Sequence, residues 1–116
     1  MGADHGVSFA LTENGFNSDI DANVLAVWYA SHLGTFAGEN VEIFTPWFWG
    51  EGMWETIHLF SRFSKKVSVH STSDLEEFVS SYSSVNHTGD SLTVIVVNRS
   101  LDQTYNSAID LMNFRV

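Results

Sequence analysis

The stretch Val7-Ser8-Phe9-Ala10-Leu11-Thr12-Glu13-Asn14-Gly15-Phe16 decides how the rest of the chain is read. An apolar run of strand character ends in a carboxylate, and Asn14-Gly15 follows at once, a strong turn signal. A helix is expected a few residues later. The carboxyl end of a strand, just before a strand-to-helix turn, is where α/β barrels carry their chemistry. Glu13 is therefore the candidate catalytic residue, set against the plainer reading of a solvated carboxylate beside a turn.

Working outward, Asn17-Ser18-Asp19 offers N-caps and first-turn acids for the helix. Ile20, Val24, Leu25, Trp28, Tyr29 and Leu33 follow at helical spacing. The helix is expected to stop near Gly34 or Gly38. Val41-Glu42-Ile43-Phe44-Thr45 is a short β-rich run ending at Pro46, which biases Thr45 toward extended backbone. Strand, helix, strand in that order favours a right-handed parallel unit. The second strand opens into Trp47-Phe48-Trp49-Gly50-Glu51-Gly52, a loop in the position where function tends to sit. The spacing of Met53, Ile57 and Phe60 predicts a second helix from about Met53 to Phe63, with Trp54 nearby. Arg62, Lys65 and Lys66 cluster at its end, as the helix dipole prefers.

From residue 67 the period changes from that of a helix to that of a strand. Val67–His70 and Phe78–Val85 alternate, Asn86–Asp90 reads as a hairpin loop, and Leu92–Val97 is the strongest strand in the chain. Ala108–Phe114 is expected to be a closing strand. The fold class is thus α/β followed by all-β, divided as 1–65 and 66–116.

A chain of 116 residues holds one modest domain with its own core. Four Trp and nine Phe supply large flat surfaces, either packed or presented to a ligand. Fourteen acidic residues against five basic give a net charge of −9, which argues against nucleic acid and anionic membrane as partners. A neutral sugar polymer is compatible with it, and solubility is the plainest role of the acidity. There are no cysteines, hence no disulfide or thiol chemistry. No stretch has the length of a transmembrane span, and the first residues are not a signal peptide. Met1-Gly2 is compatible with an artificial start, so the chain is expected to be a piece of a longer protein.

Two strand-helix units followed by an antiparallel sheet resemble the C-terminal part of a retaining clan-A glycoside hydrolase, closest to the family 44 endo-β-glucanases. Glu13 in Leu-Thr-Glu-Asn-Gly looks like the nucleophile at the end of the seventh barrel strand. Trp47 or Trp49 looks like the sugar-stacking tryptophan at the end of the eighth. Leu92-Thr-Val-Ile-Val-Val-Asn-Arg-Ser100 is similar to a strand of the β-domain beside such barrels. The resemblance implies the last two βα units of a (β/α)8 barrel over 1–65, and an antiparallel β-sandwich-like accessory sheet over 66–116. The implied ligand is a β-linked polysaccharide, a glucan or else a xylan or mannan. The implied location of the parent protein is extracellular, because such polymers cannot enter a cell. One departure matters: the acid/base of these enzymes is typically an Asn-Glu, and no Asn-Glu dipeptide occurs in this chain. Double displacement needs two carboxyl groups about 5–5.5 Å apart. The partner is expected upstream with the remainder of the barrel, and the isolated chain is expected to be inactive.

Further candidate binding residues have competing readings. Trp47 and Trp49 share a face and Phe48 opposes them if strand geometry persists. Their rings are suited to stacking on pyranose faces, or to sealing an interface. Asn14 orients the site or serves the turn; Glu51 bonds a sugar hydroxyl or favours a helix start. His5, His32, His58, His70 and His87 show neither His-x-x-x-His nor His-Glu-x-x-His spacing, and no metal or cofactor is expected. No Gly-x-Ser-x-Gly elbow or Gly-rich phosphate loop is present. Asn86-His87-Thr88 and Asn98-Arg99-Ser100 match the glycosylation pattern but fall at expected turns. The rival function is a non-catalytic carbohydrate-binding or structural β-module, and a third reading is a small independent α+β protein.

Overall fold

A computed structural model describes residues 6–17 and 19–114. The elements run β1 (Phe9–Asn14), α1 (Ala22–Gly38), β2 (Val41–Pro46), α2 (Met53–Phe63), β3 (Val67–Val69), β4 (Val79–Val85) and β5 (Leu92–Asn98). They form a small mixed α/β domain with β1 and β2 parallel in one sheet and β3-β4-β5 antiparallel in another. The parallel sheet holds two strands, and the described residues show no barrel portion. The antiparallel strands make one sheet, not the two facing layers of a sandwich.

Helix α1 starts later than Asn17-Ser18-Asp19 would have it. Its cap is Asp21, whose carboxylate accepts the Asn23 N–H at 2.9 Å. Asn17 instead accepts the Asp19 N–H in the preceding turn, and Ser18 lies outside the described residues. The helix continues through Gly34 and ends at Gly38, after which Asn40 takes a left-handed φ of 57°. Gly34 is interior because the Tyr82 ring packs where its side chain would be. The end of α2 is marked by an extended Ser64, with its N–H still bonded to the Phe60 carbonyl at 3.1 Å.

The core has two centres, and α1 serves both. Leu25 and Tyr29 meet Met53 of α2, flanked by Trp28, Phe44 and Phe48. Ala30 meets Ile95 and Val97 of β5, flanked by Val27, Phe60 and Tyr82. The helices are also tied directly: the Thr56 hydroxyl donates to the Ala26 and Gly52 carbonyl oxygens, each at 3.1 Å. Burial of these aliphatic and aromatic groups is the main favourable contribution to the fold, at roughly 25 cal/mol per Å² of apolar surface.

The antiparallel half follows the alternation of its sequence. Seven residue pairs join β4 to β5, from Val79↔Asn98 to Val85↔Leu92. The hairpin between them is organised by Asn86, whose side chain accepts the backbone N–H groups of Asp90 and Ser91 and donates to Asp90 and Thr88. Ala108–Phe114 is not a strand. Asn98 donates its amide to the Gln103 carbonyl at 2.9 Å, closing a turn immediately after β5. Beyond it the chain runs over the outer face of the antiparallel sheet across a groove of about 940 Å³, rather than along an edge.

Candidate functional site

The carboxyl ends of β1 and β2 lie side by side because the strands are parallel, with Thr12 opposite Thr45 and Asn14 opposite Pro46. Glu13 falls between these two pairs, in a register shift that leaves it without an opposite residue. Its φ of 57° is left-handed, a region that costs an L-residue roughly 1–2 kcal/mol. The bulge places this carboxylate in solvent at the strand end. Asn40 and Asn113 share this conformation, but asparagine adopts it more readily than glutamate does.

Asn14 acts through its backbone: its carbonyl accepts the Trp47 N–H at 2.8 Å, carrying the pairing one step past Pro46, which has no N–H. Gly15 permits the approach, since a Cβ there would stand 3.3 Å from the Trp47 Cβ and 3.4 Å from the Phe48 ring. Trp47 and Phe48 then diverge. Phe48 packs inward on the Leu25–Tyr29–Met53 cluster, whereas Trp47 is 67% exposed.

The structure therefore brings Glu13, Asn14 and Trp47 together, on the ends of neighbouring strands. Trp49 and Glu51 belong to a different setting at the start of α2. Trp49 stacks on Trp54, centroids 4.7 Å apart and planes at 17°, and the two rings are 49% and 58% exposed. Glu51 is exposed in the turn ahead of Gly52, the N-cap of α2, and the acid in the first helical turn is Glu55. The pairing of Trp49 with Trp54 has no simple signature in the sequence, because their spacing spans a loop-to-helix boundary.

Several of the other polar groups that the sequence singled out have partners within the chain. His32 lies against the Trp28 ring at 3.8 Å, and its Nδ1 is 3.0 Å from the Trp28 carbonyl oxygen, to which the Nδ1–H tautomer donates. His5 lies outside the described residues. Among the described residues, no group of three or more His, Cys, Asp or Glu is placed to hold a metal ion. The side-chain amides of Asn86 and Asn98 both donate within the chain. Hydrogen bonds from Asn86 and then Thr88 hold the exposed Asp90 carboxyl below its ordinary 3.8. Burial raises the Tyr29 phenol above 10.0. Among the described residues, no helix is long and apolar enough to cross a membrane.

Neither a family model, nor a curated protein, nor a solved structure matches this chain.

Proposed function

We propose that the chain is the nucleophile-bearing C-terminal part of a retaining endo-acting β-glycoside hydrolase. The observation that carries this reading is the pairing of Glu13 and Trp47. An exposed carboxylate, held in a strained backbone, ends one parallel strand, and an exposed indole follows the end of its neighbour. In this reading β1-α1 and β2-α2 are the last two units of a barrel whose other strands come from upstream. The antiparallel sheet is an accessory layer packed on α1.

The chemistry is double displacement. The Glu13 carboxylate attacks the anomeric carbon, the glycosidic C–O bond breaks, and the leaving oxygen takes a proton from the upstream acid. The resulting glycosyl ester is opened by water, deprotonated by that same group acting as base. Trp47 supplies the apolar plate on which a pyranose ring rests, and the Asn14 backbone fixes Trp47 beside the nucleophile. The substrate is a β-linked glucan, or a related xylan or mannan, and the parent acts outside the cell on polymer.

The test is Glu13→Gln in the complete enzyme, assayed on soluble β-glucan. The expected result is loss of hydrolysis with oligosaccharide binding retained; hydrolysis at the original rate overturns the assignment. The 116-residue chain alone is expected to release no reducing ends. The exposed Trp49–Trp54 stack favours a second reading, a carbohydrate-binding module with no catalytic role. That reading is selected if sugar binding survives but no upstream carboxylate is required for any activity.

A further inference from the structure

The antiparallel sheet has two edges, and they are finished differently. β3 forms one edge with only three residues, and Lys65 and Lys66 come just before it. Short edge strands and nearby lysines both discourage a stray partner strand. β5 forms the other with seven residues, Leu92–Asn98, which include no charge, proline or glycine. It pairs with β4 in unbroken register, without the bulge that would turn an edge away. Among the described residues, no strand pairs with β5 on its far side.

Two hydrogen bonds fix which backbone groups that edge presents. The Arg99 N–H donates to the Phe78 carbonyl at 2.7 Å, and the Asn86 N–H to the Ser91 carbonyl at 3.1 Å. Antiparallel ladders alternate, so every second residue from Ser91 to Arg99 addresses β4. Leu92, Val94, Val96 and Asn98 turn their N–H and carbonyl groups the other way. Only another strand satisfies such a row of groups at once.

We propose that this edge pairs with the β5 edge of a second copy, antiparallel about a two-fold axis at Ile95. Two three-stranded sheets then become one continuous sheet. Ile95 is the midpoint of the strand, so this register uses its whole length. Val94 of each copy stands opposite Val96 of the other, and both carry outward groups, so their backbone bonds close reciprocally. The facing side chains are β-branched, the type that packs well across a pleated surface. Asp90 precedes the strand and Arg99 follows it. Antiparallel pairing therefore sets the acidic end of each copy beside the basic end of the other. A two-fold contact is self-complementary and closes, so assembly through this edge stops at the dimer. The inference does not depend on Glu13 or on the proposed reaction.

The experiment is residue-resolved amide hydrogen exchange of the 116-residue chain at micromolar and at millimolar concentration, with sedimentation velocity alongside. The Val94 and Val96 amides are expected to slow by about tenfold or more as a dimer forms. Those of Ile95 and Val97, already bonded to β4, are expected to be slow throughout. Val96→Pro removes one outward N–H where an edge strand admits proline, and is expected to give a folded monomer. Val96→Lys keeps the N–H but charges the edge, and is expected to weaken the dimer by about tenfold or more. Circular dichroism establishes that each variant folds, and exchange in the wild-type chain decides the matter if neither does. A chain that stays monomeric at millimolar concentration overturns the inference. So does association that leaves Val94 and Val96 exchanging as before, or their protection in a species of monomer mass.

Discussion

Glu13 carries a backbone cost that its neighbours do not. A glycine at this position would relieve the left-handed strain, offset in part by its greater freedom in the unfolded chain. Glu13→Gly is therefore expected to stabilise the chain by about 0.5–1 kcal/mol in urea unfolding, while removing the carboxylate proposed as nucleophile. A fall in stability would show that the side chain makes contacts worth more than the strain. Tyr29 is the second informative residue. It is fully buried, and its hydroxyl has no hydrogen-bond partner among the described residues. Its folded-state pKa is raised by burial, so the folded state holds the proton more tightly than the unfolded chain does. The associated stability is complete below pH 10.0 and is lost as pH rises beyond it. Thermal melts across that range are expected to show an alkaline decline that flattens in Tyr29→Phe. An identical decline in the variant would assign it to other groups. Glu13 was legible as a strand-end carboxylate from the run before it and the Asn-Gly after it. Its bulge was not, because register depends on β2, which lies beyond a whole helix.

At the scale of elements, periodicity served best where one face is buried by one neighbour. Met53, Ile57 and Phe60 give α2 a single apolar side, and its limits coincide with the pattern. Helix α1 is different because it buries two sides, Leu25 and Tyr29 toward α2 and β2, Ala30 and Gly34 toward the antiparallel sheet. The second side is made of small residues, which leave no apolar stripe to read. Gly34 therefore looked like a stop and is a contact. A Cβ built there falls within the Tyr82 ring, so helix and sheet must separate to admit it. Gly34→Ala is expected to cost about 1–3 kcal/mol of stability, although alanine favours an isolated helix. A raised melting temperature would show that the interface yields. Ala108–Phe114 failed as a strand for the opposite reason. Its composition suits one, but the Asn98–Gln103 turn sends it off the sheet edge.

At the scale of the whole molecule, the two sheets are joined through α1 and are unequally finished. The antiparallel sheet has helices on one face and the C-terminal segment over the other. Among the described residues the parallel pair has a helix on one side only, and Phe9, Ile43 and Trp47 stand exposed around it. Parallel strands are normally covered on both faces, and unpaired edges invite association. The isolated chain is expected to self-associate at micromolar concentrations in sedimentation velocity, and Ile43→Lys, which places a charge on the open face, to reduce this. A chain that stays monomeric at all concentrations would favour an independent binding module over a barrel fragment.

The sequence by itself determined the order and kind of the first four elements, the antiparallel hairpin, and the placing of Glu13 and Trp47 at strand ends. Each of those rests on local signals: side-chain periodicity, turn residues and a single proline. Only the tertiary structure decided the strain at Glu13, the burial of Gly34 under Tyr82, the stacking of Trp49 on Trp54 and the route of the last residues. All of these depend on which distant segment arrives beside a residue, and packing between distant segments leaves no periodic trace in the chain itself.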